Sequence, residues 1–306
     1  MNRGVSLHVG VRQYKPRYAD AANLKSCHND ARAMLEFAQK LGYESLGDRS
    51  NLLLDPSATV PAVLDYIEDA TRILKRGDAF FLTFSGHGSQ LKDTPADLEA
   101  LIERDGLDEV FCLYDDPLVD DIVYGYLAKF RLGVRVFAVI DSCNSGSRAE
   151  LFRSKQRKLH TLDPLIQNEQ SDPPPSANGP ASGTKKTIRR EIVQRMLDDP
   201  DDFPNDFISD LREKYSDSCR TELKALVAIY TACQSDQTTP DGEENGFGLF
   251  TQKFLDTWTG NQSCYQLDRA LKQAAPVHGD VVPDFKYFKP WELRGEHFLR
   301  RVPFVI

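Results

Sequence analysis

The chain has 306 residues, 41% of them hydrophobic and 10% aromatic, which is enough apolar material for one large domain or two small ones. That composition excludes a wholly disordered chain, a collagen-like repeat and a disulfide-stapled miniprotein. With 38 Lys or Arg against 46 Asp or Glu, the net charge is −8. Such a field repels nucleic acid and anionic membranes, and a cationic partner suits it better. The six cysteines (Cys27, Cys112, Cys143, Cys219, Cys233, Cys264) are scattered, with no CxxC pair and no zinc-ligand spacing. The amino-terminal MNRGVSLHVGVRQY holds no apolar signal region, and no window approaches 18 consecutive apolar residues. These features predict a protein of a reducing compartment, the cytoplasm, without membrane or nucleic-acid partners.

In chain order, Val5 to Val11 reads as a short buried strand. Asn29 to Leu41 has helical spacing, with Gly42 just past it as a C-cap. A short strand is expected at Asn51 to Leu54. Thr59 to Lys75 reads as an amphipathic helix with Val60, Val63, Leu64, Ile67 and Ile73 on one face. Ala79 to Phe84 is a fully apolar strand that runs into Ser-Gly-His-Gly. Val110 to Leu113 and a helix near Ile122 to Phe130 lead to a further buried strand, Val134 to Ile140, which runs into Asp-Ser-Cys-Asn-Ser-Gly. Strands alternating with helices predict an α/β fold with a mainly parallel sheet covered on both faces.

The pattern breaks over residues 153–190, where Pro164, Pro173 to Pro175 and Pro180 interrupt any periodicity and eight Lys or Arg face three acids. Composition there indicates a flexible basic linker. Beyond it come a helix around Ile192 to Leu197, a strand at Leu226 to Tyr230, a helix from Leu249 to Trp258 and an apolar stretch at Val302 to Ile306. The expected organisation is a large part (1–152), the linker (153–190) and a smaller part (191–306), together one domain.

Open α/β sheets carry their sites at the carboxyl ends of strands. Two strands here end in chemically loaded turns, one with His87 in Ser85-Gly86-His87-Gly88, the other with Cys143 in Asp141-Ser142-Cys143-Asn144-Ser145-Gly146. If the two strands are neighbours, the imidazole and the thiol face one crevice. A thiol reacts as its thiolate, and a nearby imidazole supplies the base. Flanking glycines let a substrate approach, and the N–H groups of Gly88 and Cys143 could form an oxyanion hole.

These two motifs, with Ser26-Cys27-His28-Asn29-Asp30-Ala31 and Ala232-Cys233-Gln234, resemble the metacaspase-like caspase-fold cysteine peptidases, and most of all their bacterial members, the orthocaspases. The resemblance runs from about Ser6 to Ile306, apart from the linker. It implies a caspase–haemoglobinase fold, a six-stranded mainly parallel sheet in a three-layer α/β/α sandwich, and hydrolysis by a Cys143–His87 dyad after Arg or Lys. It also implies a primary specificity pocket made by Cys27, Asp30, Ser85 and Asp141. Two carboxylates in one pocket would favour a cationic side chain and repel Asp. By the same resemblance no cofactor is needed for the chemistry, and the chain is expected to be a monomer acting on proteins or peptides with Arg or Lys at the cleavage site.

Two further features stay open. Asp108, Asp120, Asp121 and Glu150 match or adjoin acids that bind activating calcium in many metacaspases, and oxygen-rich sets suit calcium. Yet Val119 stands where some relatives carry Asp, and Glu150 is longer than the usual Asp, so a solvated acidic surface is an equal reading. In the linker, Arg153, Lys155, Arg157, Lys158, Lys185, Lys186, Arg189 and Arg190 are candidate self-cleavage positions, against a merely solubilising loop. Two rivals stand beside the peptidase: a non-catalytic caspase-fold scaffold, and a cysteine hydrolase of cationic non-protein amides.

Overall fold

Long strands in which every residue is buried imply layers on both sides, and β1 (Gly4–Gly10) and β3 (Ala79–Ser85) have this pattern over all seven residues. Alternation decides which residue goes to which side. In β3, Phe80, Leu82 and Phe84 join one apolar core while Ala79 and Phe81 join the other. In β7 (Arg135–Asp141), Val136, Ala138 and Ile140 face the first core, and Phe137 and Val139 the second. The structure is a computed structural model and describes residues 2–18, 21–92, 107–143, 184–198, 210–211, 222–232, 239–274, 282–288, 290 and 298–306.

The main sheet has six strands in the order β2-β1-β3-β7-β8-β9, with β2 at Leu52–Leu54, β8 at Leu226–Thr231 and β9 at Asp284–Phe288. All pairings are parallel except that of β9 on β8. Helices α2 (Val60–Ile73) and α3 (Asp120–Leu127) cover one face, with α4 (Arg190–Asp198) on the same side; α1 (Cys27–Lys40), α5 (Leu249–Thr257) and α6 (Cys264–Ala274) cover the other. The expected three-layer α/β/α sandwich around a six-stranded, mainly parallel sheet is therefore observed. Because β8 pairs along the length of β7, the segments before and after the basic stretch share one sheet.

The second core centres on Phe304, whose ring lies 4.9 to 5.9 Å from those of Phe37, Phe81, Phe137, Tyr230, Phe254 and Trp258. Its backbone holds φ at 63°, a left-handed conformation costing about 1–2 kcal/mol for an L-residue. Full burial of the ring, roughly 1.5–3 kcal/mol, offsets that.

Some boundaries differ from expectation. Helix α2 stops at Ile73, which is 40% exposed rather than on the buried face. The chain extends from Leu74, and Leu74 instead is fully buried. A second, antiparallel sheet, β4 (Gly88–Lys92), β5 (Leu107–Cys112) and β6 (Pro117–Val119), lies where only one strand was expected. No described helix is long and apolar enough to cross a membrane.

Candidate active site

Adjacent parallel strands bring the two loaded turns together. The β3–β7 register sets Ser85 opposite Asp141, and the β1–β3 register sets Gly10 opposite Ser85. At Gly10 a Cβ would lie 2.5 Å from the Cys27 carbonyl oxygen, so only glycine lets α1 start this close to the sheet. Asp30, in the first turn of α1 where the helix dipole favours a carboxylate, thereby reaches Ser85, whose hydroxyl donates to Asp30 Oδ2 at 2.7 Å.

Between the two carboxylates stands a cation from the same chain. Lys186 has no exposed side-chain surface; its Nζ is 3.2 Å from Asp30 Oδ2, 3.1 Å from Asp141 Oδ1 and 3.0 Å from Ser85 Oγ. Burial alone would lower the ammonium pKa, but the facing acids, Asp141 foremost, hold it well above its usual value. Burial pushes the Asp30 carboxyl up and Lys186 pulls it back; with two carboxylates and one ammonium, the balance lies upward. Cys27 is buried beside this group, and burial pushes its thiol up, so it is a neutral wall.

The pocket is braced from residues far along the chain that sequence reading missed. Gly248 N–H donates to Asp30 Oδ1 at 2.7 Å, and Thr251 donates to Asp141 Oδ2 from N–H at 3.1 Å and from Oγ1 at 2.8 Å. A Cβ on Gly248 would sit 2.4 Å from Asp141 Oδ2 and 2.6 Å from Lys186 Nζ. The residue before α5 must therefore be glycine for the pocket to hold a cation.

The Lys186 backbone is held as firmly. Its carbonyl oxygen accepts from Gly88 N–H at 3.1 Å and Cys143 N–H at 3.2 Å, the two donors expected of an oxyanion hole. Upstream, Lys186 N–H donates to the Thr239 carbonyl at 3.1 Å and Asp241 N–H to the Thr184 carbonyl at 2.7 Å, with Lys185 bridged antiparallel to Pro240. Downstream, Ile188 N–H donates to the Gly88 carbonyl at 3.0 Å and Ser89 Oγ to the Ile188 carbonyl at 2.9 Å. Thr187 N–H turns back to the Lys185 carbonyl at 2.9 Å, so the chain bends at Lys186. The end of the basic stretch is thus packed in the crevice.

Cys143 and His87 are both fully buried at this bend. Cys143 Sγ accepts from Thr239 N–H at 3.0 Å. His87 Nε2 is 2.8 Å from the Ala22 carbonyl, which can only accept, so this nitrogen carries the proton. Nδ1 makes no hydrogen bond among the described residues and lies beside the Lys186 backbone. Burial pushes the imidazole down to about 4. Tyr14 fixes the turn: its hydroxyl accepts from His87 N–H at 2.8 Å, and its ring lies 5.1 Å from the imidazole.

Three members of the acidic set lie among the described residues. Asp120 and Asp121 are buried in the first turn of α3, and Asp108 lies in β5. Nearby, Asp115 accepts from Val60 N–H at 2.9 Å, and Asp116 pairs with Arg17 at 2.7 Å. Among the described residues no three His, Cys, Asp or Glu side chains converge on a metal position. Glu150, Arg153, Lys155, Arg157 and Lys158 lie outside the described residues. Lys185 is exposed, Arg189 is exposed, and Arg190 opens α4; of the described basic candidates only Lys186 enters the pocket.

A family model described as a caspase domain matches residues 3–276. A metacaspase-1A from Neurospora crassa is 35% identical over 293 residues, covering 90% of this chain and 60% of its own. A metacaspase-1 from Candida albicans is 28% identical over 247 residues, covering 76% and 54%. The chain thus spans little more than half the length of these relatives. The crystal structure of a Geobacter sulfurreducens protein is similar at a TM-score of 0.71 and 26% identity, covering 99% of this chain and 98% of that one.

Proposed function

Because the chain belongs to the caspase-domain family, we propose that it is a cysteine endopeptidase that cuts proteins after Lys or Arg, and that its own Lys186–Thr187 bond is its first substrate. One observation carries this reading: a lysine ammonium lies between Asp30 and Asp141 while the carbonyl of the same residue accepts from Gly88 and Cys143 N–H.

In this reading the Cys143 thiol gives its proton to His87 Nδ1, and the sulfur adds to the Lys186 carbonyl carbon. The growing negative charge on oxygen stays on the two N–H donors. His87 then protonates the Thr187 nitrogen as it leaves, and water releases the acyl group. The Ala22 carbonyl keeps the proton on Nε2, leaving Nδ1 the nitrogen that exchanges protons. Net negative charge in the pocket supports cationic selection and disfavours Asp. An activating role for calcium is proposed only as an addition to this chemistry, since none of these steps uses a metal.

The test incubates wild type and Cys143→Ala with and without calcium and reads intact masses, alongside peptides bearing Arg, Lys or Asp before a leaving dye. Hydrolysis of Arg or Lys peptides by wild type alone is expected, and whatever splitting of the chain occurs gives only 1–186 and 187–306. Cleavage after Asp, or equal activity in both proteins, would sink the reading.

A further inference from the structure

The two sides of the Lys186–Thr187 bond are both anchored, and the downstream side is anchored in the core. Ile188, Ile192, Val193 and Met196 are buried in the apolar cluster that includes α2 and α3. Helix α4 packs against β4, β6 and the Pro16–Tyr18 turn, and Arg17 Nη2 donates to the Met196 carbonyl at 3.4 Å. A single residue, Arg189, separates Ile188 from the first residue of this helix. An ordinary leaving peptide diffuses away; this one is fastened beside the thiol, on the β4 strand that supplies one oxyanion donor.

Resting on the peptidase reading, we infer that the protein also ligates: the acyl-enzyme formed at Lys186 is resealed by the retained Thr187 amine faster than water hydrolyses it. In the forward step the Cys143 sulfur bonds to the Lys186 carbonyl carbon, the C–N bond to Thr187 breaks, and the thiol proton passes through His87 to the Thr187 nitrogen. In the return step that amine's lone pair attacks the thioester, sulfur leaves, and the proton returns through His87 to sulfur. Nothing is consumed. Hydrolysis instead adds water and leaves a Lys186 carboxylate.

Two features favour the return. A held amine acts as an intramolecular nucleophile, with an effective concentration far above that of a free one. While the segment is in place Cys143 and His87 have no exposed surface, which keeps bulk water from the thioester. Loss of the α4 anchor is then what turns a reversible nick into a finished cut, because it lets the amine leave and water enter.

Hydroxylamine distinguishes these fates, since it traps the thioester as a Lys186 hydroxamate. The full wild-type chain stays largely intact in buffer, and hydroxylamine raises its splitting rate by about tenfold or more, with the hydroxamate on Lys186. Ile192→Ala, a mild loosening of α4, splits faster in buffer alone and narrows that ratio. Splitting at an unchanged rate with only carboxylate at Lys186 overturns the proposal. So does a wild type that hydrolyses basic peptides but yields neither split chain nor hydroxamate, and there the peptidase reading survives. Absence of all Cys143-dependent cleavage, of peptides and chain alike, removes the peptidase reading and the ligation with it.

Discussion

Two groups of buried carboxylates in this molecule are satisfied in different ways. Asp115 and Asp116 face permanent parts of the scaffold, a backbone N–H of α2 and the Arg17 guanidinium. Asp30 and Asp141 share one ammonium on a segment that forms no strand of the main sheet. Remove that segment and two carboxylates remain in an enclosed slot, braced by Gly248 and Thr251. Buried acids thus make a structural joint where their partner is fixed, and a receptor where their partner can be exchanged. Removing one member of a buried ion group leaves an unpaired charge, which is the larger effect.

The contrast is broken most sharply by Asp30→Asn. Steady-state kinetics on an Arg peptide should show kcat/KM lower by roughly a hundredfold or more, as for truncating one side of a buried charge pair. Gly248→Ala should come next. Its methyl enters the space of the ammonium, so KM for Lys and Arg peptides should rise about tenfold, with kcat changing less. A pH series sharpens the comparison. In the intact chain burial holds His87 at about 4, with Ala22, Lys186 and Asp241 around it. The neutral, base-competent form therefore persists down to that pH. Self-splitting should fall only as pH drops through about 4, whereas hydrolysis of peptides by the cut, hydrated site should fall nearer the ordinary histidine value of 6.5. Coincident acid limbs would show that the plug does not set the imidazole pKa. The smallest effect belongs to the scaffold: Asp115→Ala orphans the Val60 N–H and should cost about 1–3 kcal/mol in chemical unfolding, with kcat/KM unchanged.

That the turns carrying His87 and Cys143 would meet Asp30 at one end of the sheet was legible because each lies within a few residues of a strand or helix end, where local pattern and chemistry coincide. The six-stranded fold followed from the resemblance those motifs carried. The sheet β4-β5-β6 was not legible, since Gly88 to Lys92 and Leu107 to Glu109 lack apolar alternation, and their pairing across the intervening residues leaves no local signal. Gly248 and Thr251 act on acids 218 and 110 residues away along the chain. No periodicity reports that. Lys186 was one of eight equivalent bases by composition, and burial alone separates it from Lys185 beside it.

The run of residues 184–186 along 239–241 has a consequence for what else the site could accept. Thr184 and Lys185 are exposed, and the contacts described for this stretch run through the main chain, as in strand addition to a sheet edge. Main-chain hydrogen bonds are the same for every residue except proline. On the proposed reading, an address read this way would have one obligatory letter, the basic side chain, and the letters before it would be nearly free. Selectivity among proteins would then rest on which basic positions lie in segments loose enough to straighten into the groove, so the fold of the target, more than its sequence, would decide what is cut.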